Sequence, residues 1–154
     1  MKAAAWLLAL ALVALPAAAT KVDIAPEGAL LVRYTVDKSF DDVVFELTFA
    51  ITDHNFRITG RNSIGAGLRE RGYKDFPNAE VINFCSLELA REVLLLDPGF
   101  IAYMPCRVTV HEERGRTVVS LIKLPLDHHD PRVNDFARRM NATLTEIVDL
   151  AVGM

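Results

Sequence analysis

The stretch INFCSLELAREVLLLDPGFIAYMPCRVTV contains both cysteines of the chain, Cys85 and Cys106, with Met104 two positions before the second. Two thiols can form a bridge, work as a redox pair, or bind a soft metal together with a thioether. Closing the loop between them would stabilise the fold by about 3 kcal/mol if chain entropy alone counted. Geometry decides between these outcomes. Cys85 ends one predicted strand and Cys106 begins another. Parallel strands would put the thiols at opposite ends of a sheet, and antiparallel strands would put them at one end. The intervening GFIAYMP reads as an extended piece able to recross the sheet, which favours a shared end. Two buried, inert thiols are the structural alternative, since free cysteine is among the most buried residue types. No C-x-x-C occurs, so the local device that lowers a thioredoxin-type thiol pKa is absent.

The four histidines carry weaker signals. His128 and His129, between Asp127 and Asp130, form DHHD. Adjacent side chains diverge in most backbones, so a solvated capping loop is favoured over a metal site. His111 alternates with Arg107 and Thr109 on one strand face, opposite Cys106, Val108 and Val110. His54 ends a predicted helix, where a protonated imidazole suits the dipole. Arg61, Arg69, Arg71 and Lys74 could rim a basic loop, but Glu70 and Asp75 interrupt them. There is no G-x-G-x-x-G, G-x-S-x-G or H-E-x-x-H. Asn141-Ala142-Thr143 matches a glycosylation acceptor but falls within a predicted helix.

The amino terminus, MKAAAWLLALALVALPAAATK, has a charged start, a short apolar run and a small-residue exit. It reads as a secretory signal peptide over residues 1–19, cleaved before Thr20, with an uncleaved N-terminal anchor as the rival reading. The remaining length suits one domain, residues 20–154. Without Lys2 the chain has 16 basic against 20 acidic side chains, a formal −4. That balance argues against a nucleic-acid footprint. No later run is long and apolar enough to span a bilayer. The expectation is an exported, periplasmic or secreted protein.

Residue patterning supplies the elements that hold these groups. ALLVRYTV, residues 29–36, reads as a strand. Ser39 can cap a helix whose stripe is Phe40, Val43, Val44, Leu47 and Ile51. Residues 56–64 alternate as a half-buried strand, with Phe56, Ile58 and Ile64 on one face and Gly60 at a bulge. Residues 65–79 read as a loop. EVINFC is a strand, Ser86 can cap the next helix, and DPG ends it. CRVTVHEE and RTVVSLIKLP form a hairpin around Arg114-Gly115. Asp130 caps a last helix with Pro131 at its first position and a stripe from Val133 to Ala151. The order β-α-β-β-α-β-β-α predicts an α+β domain, a mainly antiparallel sheet with helices on one face.

The segments SIGAGLRERGYKDFPNAEVINFC, ELA and MPCRVTVHEERGRTVVS resemble the domain of unknown function 302 family, over roughly residues 29–150. The most specific parts are Phe84-Cys85 and Pro105 to Val108. Family members usually have Asn after the first cysteine, where this chain has Ser86. The resemblance implies a TATA-box-binding-protein-like α+β fold and a homodimer, with no established activity and no agreed ligand. The expected role is a small exported binding or accessory module, dimeric and non-catalytic. Its ligand would sit between the open sheet face, the 65–79 loop and Met104-Pro105-Cys106. The candidate ligand-binding or redox residues are Cys85, Cys106, Met104 and Arg107, with no catalytic residue assigned and the cofactor unknown. The alternative is a redox, metal or haem site on Cys85 and Cys106, where sulfur would select copper(I), zinc or haem iron.

Overall fold

Alternation in LVRYTV places Val32, Tyr34 and Val36 on one buried face of the strand Leu31–Val36 (β2). A computed structural model describes the backbone of residues 20–23 and, in full, residues 30–154. The first strand is Thr20–Asp23 (β1), paired antiparallel with β2. The expected signal segment lies outside the described residues. Ser39 caps the helix Phe40–Asp53 (α1), its Oγ accepting from the Asp42 backbone N–H at 3.1 Å. This satisfies one of the donors a helix start leaves unpaired. The predicted stripe is buried apart from its first member, Phe40, which is half-buried; Val43, Leu47 and Ile51 are all 0 % exposed.

Strand Arg57–Asn62 (β3) pairs with Ala79–Cys85 (β4), and the register slips between Ile58 and Gly60, where a bulge was expected. After β4 come the helix Leu87–Leu94 (α3) and a 3-10 turn, Pro98–Tyr103. Strands Cys106–Glu113 (β5) and Arg116–Ile122 (β6) form the hairpin. Its turn residues Arg114 and Gly115 have φ of 52° and 76°, the left-handed pair that a tight hairpin requires. Asp130 caps the helix Pro131–Val152 (α4), accepting from the Arg132 N–H at 2.9 Å.

Among the described residues the strands form one antiparallel sheet in the order β1-β2-β6-β5-β4-β3. The long helices α1 and α4 pack side by side, and their buried stripes join Ile82, Phe84, Val108, Val110, Val119 and Leu121 in one core. The α+β class and broad element order follow the sequence expectation.

Three local expectations are corrected. Residues 65–79 are not all loop, because a short helix, Ile64–Glu70 (α2), begins there. Ile64 therefore leaves the strand alternation and is 48 % exposed. Seven residues with two glycines carry too little periodicity to show, and tertiary anchors hold the turn instead. Arg69 donates to the Phe76 carbonyl at 2.8 Å and to Asn78 Oδ1 at 3.1 Å. GFIAYMP is not extended: Asp97 Oδ1 accepts from Gly99 N–H at 2.8 Å and starts the 3-10 turn. The chain has no need to recross the sheet, because β4 and β5 are antiparallel neighbours. Ser86 stands at the start of α3, but its hydroxyl faces Glu88 Oε2 at 3.2 Å and makes no cap bond to the backbone.

Candidate functional site

The strand register brings the sulfur residues to one end of the sheet. Phe84 on β4 pairs with Cys106 on β5, and Cys85 pairs with Arg57 on β3. Cys106 thus shares the helix-covered face with Phe84, while Cys85 is one residue out of phase. Successive strand residues face opposite sides, so the two thiols come to the end of the sheet from opposite faces, and they are not bridged. Both cysteines are free thiols and half-buried.

Cys85, Met104, Cys106 and Met140 together line an apolar cavity of about 30 Å³. Met104 follows the 3-10 turn, and Met140 belongs to the buried stripe of α4. Aromatic rings frame the space. Phe56 meets Phe84 edge-on at 5.5 Å, and Phe100 meets Phe136 edge-on at 6.0 Å, the arrangement that ring quadrupoles favour. A space of this size holds about one water-sized group; pockets for drug-sized ligands are about ten times larger or more.

Burial sets the chemistry of the thiols. It pushes Cys106 up to about 11, the neighbouring Cys85 charge adding to the effect. Burial also raises Cys85. At neutral pH both are thiols, the opposite of the thiolate that a cysteine nucleophile requires.

Arg107 does not join the other three candidates. It is exposed on the second sheet face, opposite Asn83, and borders a separate pocket of about 70 Å³ that it shares with Cys106 and Pro105. That face also carries half-buried Thr35, Val81, Thr109, His111 and Ser120. Burial, then the Arg33 charge, lowers the His111 pKa, which keeps the ring neutral at neutral pH.

The remaining polar candidates have structural partners. His128 Nε2 lies 3.1 Å from Asp97 Oδ2, and its Nδ1 accepts from the Asp130 N–H at 3.0 Å. Asn134 clasps the His128 backbone, accepting its N–H at 2.9 Å and donating to its carbonyl at 2.7 Å. With both ring nitrogens engaged, His128 ties the 3-10 turn to the start of α4, and His129 stacks on it at 4.2 Å. His54 Nδ1 lies 2.8 Å from the Ala50 carbonyl at the end of α1. Arg61 pairs with the buried Glu80 at 2.5 Å, so it and Arg69 are not parts of a free basic rim. The Asn141 amide holds both Leu124 backbone groups, at 2.7 and 2.9 Å, which occupies the would-be glycan acceptor. Among the described residues no three His, Cys, Asp or Glu side chains converge on a metal position, and no helix is long and apolar enough to cross a membrane.

Sequence reasoning missed Met140, Phe100 and Phe136 as cavity residues. The spacing of Phe136 and Met140 marks a helix stripe and gives no sign of which strand end that stripe covers.

Comparison with known proteins agrees with this architecture. A family profile described as "Domain of unknown function DUF302" matches residues 32–151. A search of curated proteins finds no match. Among solved structures, the chain is similar to the crystal structure of an uncharacterized conserved DUF302 protein from Bacillus stearothermophilus. The TM-score is 0.69 at 18 % identity, covering 79 % of this chain and 98 % of that one. At that identity the likeness speaks for the fold alone.

Proposed function

This chain belongs to the domain of unknown function DUF302 family, and we propose that it is a small exported binding module whose site is the sulfur-lined cavity at the β4–β5 end of the sheet. The observation that carries this reading is the convergence of Cys85, Met104, Cys106 and Met140 on one apolar space. These residues come from two strands, a turn and a helix distant in sequence. The role is non-catalytic. Protonated thiols and a histidine with both nitrogens engaged support that side of the reading. Export rests on the three-part leader, and intact-mass measurement of the exported protein should give a chain starting at Thr20.

Two copies pair in this proposal through the second sheet face. Leu31 and Ile122, opposite each other in the register, are 37 % and 42 % exposed there. Covering such a face and its edges is a common reason for small sheets to dimerise. Light scattering at micromolar concentration should give twice the chain mass, and a monomer at every dilution refutes the pairing.

The binding site itself is tested with carbon-13-labelled methionine methyl groups. The protein is titrated with a panel of small apolar compounds and soft metal ions. At least one panel member should shift the Met104 and Met140 signals together. If none moves either signal, the cavity is not a binding site.

A further inference from the structure

We propose that the cavity holds one monovalent soft cation, copper(I), between the Cys106 sulfur and the Met104 and Met140 thioethers. The inference rests on the binding-module reading and names the ligand class of that same site. Hardness comes first. Four sulfur side chains line the cavity, Cys85, Met104, Cys106 and Met140, beside two neutral hydroxyls, Ser86 and Tyr103, and thiolate with thioether selects copper(I) over calcium, magnesium or manganese. Size comes second. About 30 Å³ admits a bare ion and excludes a hydrated one or a large organic ligand.

Charge decides the valence. Among the described residues no charged side chain borders the cavity, so the complex must come close to neutral by itself. One thiolate, two neutral thioethers and a monovalent ion sum to zero. A divalent ion in the same donor set leaves a positive charge in apolar surroundings. Two thiolates on a monovalent ion leave a negative one. Cys85 is therefore placed at the border as a landing thiol rather than as a permanent donor; its Sγ faces the Ser86 carbonyl at 3.7 Å.

The positions of the donors fit this division of labour. Met104 and Cys106 lie two residues apart, and both pack against the core. Met140, 5 % exposed, reaches the same cavity from α4. Binding exchanges the thiol proton for the metal: Cys106–SH and the cation give the Cys106–S–metal bond and one released proton. No electron is transferred.

The test is an anaerobic titration of the reduced, full exported protein with copper(I) buffered by a chromophoric chelator. Proton release and methionine methyl signals are followed together. The expected result is one copper and about one proton per chain. Met104→Leu and Met140→Leu keep volume and fold, and each should weaken binding by at least the roughly tenfold that losing even an outer-shell partner costs. Cys106→Ser should abolish uptake, whereas Arg107→Ala should leave it unchanged. Failure to take copper(I) from the chelator overturns the proposal. So does wild-type affinity in Met140→Leu, which would make that sulfur a core filler. If other panel compounds move the methionine signals while copper(I) does not bind, the cation claim falls and the binding-module reading stands. If nothing moves them, both fall.

Discussion

Alkaline pH should destabilise this protein through Cys106, and the size of the effect follows from the burial of its thiol. In the unfolded chain the thiol ionises near pH 9.0, and in the folded chain near 11. Below pH 9.0 both states hold the proton, so this group gives no pH dependence. Above it the unfolded chain releases the proton while the folded chain retains it, so stability falls until the folded thiol also ionises, then levels off. Two units at 1.36 kcal/mol each give a loss of roughly 2–3 kcal/mol across that window. Other groups titrate there too, so the measurement is a difference. Urea unfolding of wild type and Cys106→Ala is compared at pH steps below and across the window. The gap between the two should narrow by the stated amount if Cys106→Ala is the less stable at neutral pH, and wild type should lose the more in any case. Cys85→Ala should shrink the loss, because the Cys85 charge is the second contributor to the Cys106 shift. Parallel losses in wild type and Cys106→Ala, or a Cys106 thiolate absorbance that develops below pH 9.0, would refute the burial argument.

Three further outcomes are expected. Leu47→Ala, at a site 0 % exposed in the α1 stripe, should cost roughly 2–5 kcal/mol, and Val148→Ala on α4 somewhat less; unchanged denaturation midpoints would mean that neither stripe faces the core. A Cβ at Gly65 would stand 2.4 Å from the Pro77 carbonyl oxygen and 2.8 Å from the Ala79 nitrogen. Gly65→Ala should therefore cost roughly 1–3 kcal/mol, whereas Gly67→Ala, with open space around it, should not destabilise. Asn141→Ala strips the partner from both Leu124 backbone groups and should cost roughly 1–3 kcal/mol, read as a lower melting temperature by circular dichroism.

Much of the framework is legible in the sequence because it rests on local chemistry. Ser39 and Asp130 announce helix starts through hydroxyl and carboxylate acceptors, and both caps form. Arg114-Gly115 announces the hairpin because a two-residue turn needs positive φ. The apolar spacing of α1 and α4 identifies their buried sides without any knowledge of the partner surface. The helix at Ile64–Glu70 escaped because its stability comes from contacts with Pro77, Asn78 and Ala79 rather than from its own periodicity.

The site divides in the same way. Sequence by itself determined that Cys85 ends a strand, that Cys106 begins one, and that Met140 lies on a buried stripe, since each statement depends on a period of two or of 3.6 residues. Tertiary structure alone decided that β4 and β5 are antiparallel neighbours, which sets both thiols at one end of the sheet. It also decided that a one-residue offset keeps them out of phase, that Arg107 faces away from the cavity, and that α4 carries Met140 over the Met104–Cys106 corner. Those facts concern pairing between segments distant along the chain. No local propensity encodes such pairing; it is fixed only when the whole core packs around one arrangement of the strands.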